Sequence, residues 1–252
     1  MVKNITLCSN IKPKISIIAS AIRTELWLNL YNSLLSNETP FEIIFVGNKK
    51  PDFNLPANFK YIYSITKPSQ CYEIGFREAI GDLINWSADD VIYSERALDI
   101  AYIFYHSYLN KEKLVVAFNC IENGSPTSQG HRIYDVLSPR MAPIGMMNRK
   151  QLLSLGGYDK RFICGQAEND LVMRNYQDGG WLEICEPAKV YIEHNKAHKG
   201  ISKFRVEDGY NYHLEDRRIL EDKWIRKIIH DFQPFENDKL LTITQGNKGE
   251  WV

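Results

Sequence analysis

The sequence predicts an α/β fold, with a mostly parallel central sheet flanked by helices, in a single domain with a C-terminal helical tail. The chain has 252 residues, which suits one domain of this class. Hydrophobic residues make up 44% and charged residues 25%, so a core of ordinary size can form. Strand-like and helix-like patterns alternate through the first half, and this alternation is typical of βαβ units with parallel strands.

Short, nearly continuous apolar runs in the first half predict strands that are covered on both faces. These runs are residues 15–19, 42–46, 61–65 and 83–86. Helical periodicity follows the first strand at 24–34, where Thr24 can cap the helix, and precedes the fourth at 71–80, where Gly81 ends it. Ligands of such sheets bind beyond the carboxyl ends of the strands. The segments that follow the strands, 20–23, 47–49, 66–70 and 87–90, are therefore predicted to line one site.

The second half is less regular. Helices are predicted at 95–109, 148–155, 168–177 and 213–230, strands at 114–118 and 190–192, and a long loop at 122–143. The last helix carries Leu220, Trp224, Ile225, Ile228 and Ile229 on one face, which we expect to pack on the domain. Its basic residues also suit a lipid surface, so peripheral membrane contact through this helix is a second interpretation.

Charge and cysteine usage narrow the classes of function. Lys plus Arg and Asp plus Glu both number 31, so the chain lacks the broad basic field of a nucleic-acid-binding protein. No stretch approaches the ~20 apolar residues of a membrane span, and the N-terminus has no secretory pattern. Five scattered cysteines without a C-x-x-C pair favour reduced thiols. We therefore expect a cytoplasmic protein, with at most peripheral membrane association.

Two acidic pairs and one histidine are candidates for chemistry. Asp89 and Asp90 follow a buried strand, where carboxylates can bind a divalent cation together with substrate phosphates or, alternatively, cap the next turn. Glu168 and Asp170 begin a helix, where they can act as a general base or simply complement the helix dipole. His194 follows the last predicted strand. A lone histidine is more often structural, but with Asp90 it could complete a mixed nitrogen and oxygen metal site.

The order of these motifs resembles the family 2 glycosyltransferases of GT-A fold, over roughly residues 13 to 198. The Ala79-Ile80-Gly81 turn and the strand after it align Ala88-Asp89-Asp90 with the D-x-D motif. Residues 156–159 read Gly-Gly-Tyr-Asp, as in that family. The acidic E-D-x-D-L-x-x-R motif is matched by Asp170-Leu171 and Arg174, and the closing Gly-Trp strand by residues 180–194.

This resemblance implies transfer of a sugar from a nucleotide-sugar donor to a hydroxyl of a glycan or glycolipid, as in polysaccharide biosynthesis, with inversion and with Mn²⁺ or Mg²⁺. It implies catalytic roles for Glu168 and Asp170, and metal binding by Asp90 and His194. The donor would be lined by Ser20, Arg23, Gly47, Ser69, Gln70, Ala88, Asp89, Gly145 and Met146. Residues 1–205 would form the transferase domain and 206–252 a helical extension packed on it.

Four features depart from the family pattern. Ala88 replaces the first Asp of D-x-D, residues 47–49 replace the usual acids after the second strand, Tyr72-Glu73 replaces the usual Arg-Asn, and Glu168 stands where Asp is common. These departures keep a second class of function open, a non-catalytic module that binds nucleotide sugars or glycans. A nucleotidyltransferase is less favoured, because residues 20–23 lack the glycine-rich loop that it would need.

Overall fold

The computed structural model describes residues 11–126, 139–193 and 211–236. Its strands form one sheet: β1 (Ile15–Ser20), β2 (Phe41–Gly47), β3 (Phe59–Tyr63), β4 (Leu83–Trp86), β5 (Val91–Tyr93), β6 (Leu114–Glu122), β7 (Ser125–Pro126), β8 (Gly145–Asn148) and β9 (Trp181–Ile192). Its helices are α1 (Trp27–Leu34), α2 (Pro68–Glu78), α3 (Ala97–His106), α4 (Arg149–Ser154), α5 (Ala167–Gln177) and α6 (Tyr212–Trp224).

The sheet has a parallel half and a mixed half. Strands β3, β2, β1 and β4 lie side by side and parallel, with Ile18 of β1 opposite Ile44 and Trp86. The order continues through β8, β6, β9 and β5; β8 runs antiparallel to both β4 and β6, and β9 runs parallel to β6. This mixed sheet with flanking helices confirms the predicted fold class.

Apolar side chains cover both faces of the sheet. On one face, Trp27 of α1 packs its ring edge-on against Phe45, with ring centroids 5.3 Å apart. On the other face, Phe76 of α2 meets Tyr158 edge-on at 4.9 Å, and Phe162 belongs to the same cluster. Both faces of β1, β2 and β4 are therefore buried, which explains why their sequences are nearly continuous apolar runs.

Several predicted boundaries were wrong. The third strand is 59–63 rather than 61–65, and it is not a continuous apolar run, because Lys60 and Tyr63 are exposed. β5 and β8 were not predicted, and α2 begins at Pro68, three residues before the predicted start. The last helix ends at Trp224, so Ile225 and Ile228 are 50% and 65% exposed and do not pack on the domain as expected.

The described part of the C-terminal segment docks on the domain through polar and apolar contacts. Leu220 is fully buried, and the Lys223 ammonium lies 2.9 Å from Asp159 and 2.7 Å from Asp170. A Cβ atom added to Gly156 would come within 2.4 Å of the Phe232 ring, so this turn and that ring are in close contact. The predicted domain boundary at 205/206 falls outside the described residues. Among the helices of the described segments, none is long and apolar enough to cross a membrane.

Candidate functional site

Asp89 ties the end of β4 to the loop that follows β1. Its carboxylate is fully buried, and Oδ2 accepts the backbone N–H groups of Ile22 and Arg23, both at 2.7 Å. Arg23 Nε also donates to Oδ1 of Asp89 at 2.7 Å. A buried carboxylate is stable when it is paired and hydrogen-bonded in this way. Asp89 therefore shapes the site by fixing a loop, and its carboxylate is occupied by protein groups.

Asp90 and Arg23 form a second ion pair in the same cluster. Arg23 Nη1 donates to Asp90 Oδ2 at 2.5 Å, and the two side chains are 24% and 6% exposed, respectively. Burial lowers the pKa of Arg23, but the neighbouring charges of Asp89 and Asp90 raise it more, so the net shift is upward. Arg23 is therefore a permanent cation at the carboxyl edge of the sheet, within reach of a ligand that enters there.

Tyr72 of α2 lies near both acidic pairs and was missed as a site residue. Its hydroxyl donates to the carbonyl of Ser87, and its ring lies 5.7 Å from the ring of Tyr158. Burial raises the pKa of Tyr72 far above its usual range, and the charges of Glu168, Asp89 and Asp90 raise it further. The one signal in the sequence was that Tyr72 stands where the resembling family has arginine.

Glu168 is the second residue of α5 and keeps part of its surface accessible. The residue before the helix, Gln166, has a left-handed backbone with φ of 66°. Burial of the carboxyl, with the nearby charge of Asp216, raises the pKa of Glu168 to about 7, although N–H groups of Gln166 and of Glu168 itself oppose the shift. A carboxyl group with this pKa can accept or release a proton near neutral pH.

Asp170, expected to be catalytic with Glu168, is instead held by the fold. It is fully buried; Oδ2 accepts from Arg174 Nε at 2.8 Å, while Oδ1 accepts from Trp224 Nε1 at 2.9 Å and lies 2.7 Å from Lys223 Nζ. Both carboxylate oxygens are therefore engaged by protein donors. The geometry corrects the expectation, because Asp170 anchors α5 and α6 to each other and offers no accessible surface to a substrate.

Two predicted donor-lining glycines are needed by the packing of the chain. A Cβ atom on Gly47 would lie 1.8 Å from the carbonyl oxygen of Ala21, and one on Gly145 would lie 2.3 Å from the Trp86 ring. Both positions therefore require glycine because other chain segments pass too close for a side chain. Close packing therefore accounts for glycine at both positions, and their contact with the donor stays a prediction.

Three further donor-lining candidates are buried, and two lie at the open edge. Met146 is fully buried in the apolar core, and Ser69 and Gln70 of α2 are 2% and 0% exposed. None of these three presents a surface to a ligand in this conformation, which is a second correction. Ser20, at the carboxyl end of β1, and Ala88, two residues after β4, are partly exposed, and their contact with the donor stays a prediction.

The Gly-Gly-Tyr-Asp motif forms a turn that packs against α2. Gly156 and Gly157 have φ of +86° and +74°, and a Cβ atom on Gly157 would lie 2.1 Å from a carboxylate oxygen of Glu73. The buried Glu73 carboxylate accepts the N–H of Tyr158 at 3.0 Å. The motif therefore requires glycine for backbone reasons, and it positions the segment that leads to Glu168.

The donor set fits a divalent cation that arrives with a diphosphate, rather than a closed protein site. In the described segments, no group of three or more His, Cys, Asp or Glu side chains is arranged to hold a metal ion. Asp90 offers one partly accessible carboxylate, and His194 lies outside the described residues. Mg²⁺ usually binds one or two carboxylates together with substrate phosphates and water, which matches this arrangement.

Comparisons with known proteins agree with this architecture. No protein-family model and no curated protein sequence matches the chain. Among solved structures, S. aureus TarS 1-349 in complex with UDP-GlcNAc is similar with a TM-score of 0.62 and 16% identity, covering 92% of this chain and 71% of that one. GalNAc-T7 with UDP, GalNAc and Mn²⁺ is similar with a TM-score of 0.57 and 13% identity, covering 87% of this chain and 49% of that one. The strand order, the helices on both faces and these likenesses show that the chain has the GT-A fold of glycosyltransferases.

Proposed function

We propose that the protein is a glycosyltransferase that moves a sugar from a nucleoside-diphosphate sugar to a hydroxyl group of a glycan or glycolipid. The observation that carries this proposal is that a charged pair and a candidate base both lie near Tyr72. Arg23 and Asp90 form a charged pair, and the partly accessible Glu168 lies close enough to Tyr72 to share its electrostatic environment with them. Binding of a diphosphate and proton removal from an acceptor are the two tasks that such a transfer needs.

Glu168 takes the role of general base. The acceptor oxygen forms a bond to the anomeric carbon of the donor sugar, while the bond from that carbon to the diphosphate oxygen breaks. The acceptor proton passes to the Glu168 carboxylate, and the diphosphate leaves with the bonding electron pair. Attack from the face opposite the diphosphate inverts the configuration. The raised pKa of about 7 makes Glu168 a stronger base than an ordinary carboxylate.

Arg23 and Asp90 take the role of binding the diphosphate. The Arg23 guanidinium suits phosphate oxygens because its planar donors match them two at a time. Asp90, with His194 as a second candidate ligand, would hold Mn²⁺ or Mg²⁺, and the cation would neutralise charge on the leaving diphosphate. To bind a cation, the Asp90 carboxylate must give up part of its contact with Arg23, which then becomes available to phosphate.

The same proposal indicates which donors to test first. TarS was solved with UDP and with UDP-GlcNAc, and GalNAc-T7 with UDP, so uridine diphosphate sugars are the first donors to test here.

A cytoplasmic location and peripheral membrane contact through α6 remain proposals. The exposed Arg218 and Arg226 of this segment pair with Glu215, Glu221 and Asp222 nearby, which weakens the attraction of α6 to an anionic lipid surface.

A second candidate function is a binding module that holds nucleotide sugars without transferring them. Two observations favour it: Ala88 stands where the resembling family has an acid, and Asp90 is paired with Arg23. Slow metal-dependent hydrolysis of a donor discriminates between the two functions, because hydrolysis requires an intact reaction site and binding alone does not.

The direct experiment measures release of the nucleotide with and without Mn²⁺: the nucleoside diphosphate from UDP-, GDP- and dTDP-sugars, and CMP from CMP-sugars. Donor binding is followed in parallel by thermal shift, since a ligand at 100 times its Kd stabilises by about 2.7 kcal/mol. We expect Glu168→Gln to remove turnover and to keep donor binding. The matched control is Glu112→Gln, the same change at an exposed position outside the candidate site. Full turnover by Glu168→Gln would refute the assigned base.

A further inference from the structure

Asp216 of α6 makes an unusual set of contacts with the segment before α5. Its carboxylate is fully buried and accepts three consecutive backbone N–H groups: Oδ1 accepts that of Ile163 at 2.9 Å, and Oδ2 accepts those of Cys164 and Gly165 at 2.7 and 2.9 Å. Hydrogen bonds to a charged group are stronger than those between neutral groups. One side chain from the C-terminal segment therefore fixes the backbone of 163–165.

This backbone leads directly to Glu168. After Gly165, Gln166 adopts a left-handed conformation with φ of 66°, and α5 begins at the next residue. Asn169 Nδ2 donates to the side-chain oxygen of Gln166 at 2.7 Å. A residue other than glycine keeps such a conformation only where its surroundings determine it. The three bonds to Asp216 are part of those surroundings.

Residues of α6 other than Asp216 attach this helix to the domain. Lys223 pairs with Asp159 and Asp170, Trp224 donates to Asp170, and Leu220 is buried in the core. These contacts attach the helix without any help from the 163–165 backbone. Burying the Asp216 carboxylate costs desolvation free energy, and the attachment of α6 does not require it. We therefore look for another role for this side chain.

We propose that Asp216 is a positioning residue, which holds the 163–165 backbone so that Glu168 is presented to the acceptor hydroxyl. This inference rests on the proposed function, because Asp216 would act on the reaction through Glu168, the proposed base. It also makes the C-terminal segment a part of the reaction site. Loss of this segment would then abolish transfer even where the donor still binds.

The pH dependence gives a readout that a purely structural role would not change. The titratable groups facing Glu168 are Asp216 of α6, Tyr72 of α2 and Tyr158 of the preceding turn. Burial raises the pKa of both tyrosines far above neutrality, so neither changes charge in the range of interest. A negative Asp216 raises the pKa of Glu168, so replacing it with a neutral side chain moves the pH–rate midpoint downward.

The experiment compares Asp216→Asn with Glu215→Gln, which makes the same charge change at the adjacent residue, where an exposed pair with Arg218 is lost. For Asp216→Asn we expect kcat to fall about tenfold or more, since small misplacement of a reacting group is costly. The KM for the donor should stay near the wild-type value, and the midpoint should move to lower pH. Amide hydrogen exchange at residues 163–165 should rise. Glu215→Gln should change none of these four quantities.

Two results would overturn the inference. A folded Asp216→Asn variant with wild-type kcat and an unmoved pH midpoint would show that Glu168 does not depend on Asp216. Loss of donor binding together with faster exchange throughout α5 would show that Asp216 only supports the fold. Failure of the proposed function is distinguishable, because it would appear as absence of turnover in the wild-type protein with every donor.

Discussion

The two acidic pairs of the chain, Asp89 with Asp90 and Glu168 with Asp170, are built on the same plan at two places in the fold. In each pair one carboxylate is fully buried and surrounded by protein donors: Asp89 by the loop after β1, and Asp170 by Arg174, Lys223 and Trp224. The other residue of each pair, Asp90 or Glu168, is only partly buried.

The difference in burial within each pair indicates that the two neighbouring acids have different roles. A buried carboxylate with several donors stabilises one conformation, because removing it would leave cations or N–H groups unpaired. A partly accessible carboxylate can exchange its partners for a substrate, a proton or a cation. We therefore expect substitutions at Asp89 and Asp170 to affect stability first, and substitutions at Asp90 and Glu168 to affect chemistry first.

The largest effect on stability is expected from Asp170→Asn. The change leaves Lys223 and Arg174 buried with less negative charge around them, so the free energy of unfolding should fall by about 3–5 kcal/mol. Chemical denaturation measures this change. The control is Asp222→Asn, which removes an ion pair with the half-exposed Arg226 and should cost no more than about 1 kcal/mol. Equal losses in the two variants would contradict the structural role of Asp170.

The second comparison sets Asp89→Asn against Asp90→Asn. Asp89→Asn weakens charged hydrogen bonds to the loop after β1, so it should lower the free energy of unfolding by about 2 kcal/mol. Asp90→Asn should cost less stability, and it should remove the gain in donor affinity that Mn²⁺ provides. Denaturation and calorimetric titration of the donor measure the two effects. If Asp90→Asn kept the full Mn²⁺-dependent gain, the cation would be bound elsewhere.

The effect of Glu168→Gln on stability is expected to depend on pH and to disappear at low pH. The pKa of Glu168 is about 7 in the folded chain, against an ordinary value of 4.5, so unfolding releases a proton between these two values. Wild-type stability therefore falls as pH rises through this window. Well above pH 7 Glu168→Gln should be the more stable protein, by up to about 3 kcal/mol, and near pH 4 the difference should vanish. A variant that is less stable at pH 8 would contradict the raised pKa.

The sequence predicted the parallel half of the fold better than the mixed half. Strands β1, β2 and β4 are apolar runs buried on both faces, and their periodicity is unambiguous. β8 has the sequence Gly-Met-Met-Asn, which lacks β-branched residues, and β5 is only three residues long. Both strands exist because neighbouring strands pair with them, and local sequence does not encode that pairing.

The alternation of strands and helices predicted that Arg23 and Asp90 follow neighbouring parallel strands, and the structure has them in contact. Glu168 was singled out by the family resemblance, and the strand pattern did not predict the roles of individual site residues. Burial of Met146 and Gln70, and the pairing of Asp170 with Lys223, depend on contacts between distant segments. Asp216 could not have been singled out, because its partners are backbone N–H groups rather than side chains with a recognisable pattern.

The central claim is that Glu168 is the base of a sugar transfer, and the pH–rate profile tests it most directly. The measurement is kcat/KM between pH 5 and pH 8.5 with a donor that the wild-type protein turns over. We predict that the rate falls about tenfold per pH unit below a midpoint near 7, where Glu168 becomes protonated, and that it is level above the midpoint. A profile that is flat from pH 5 to pH 8 would contradict the claim.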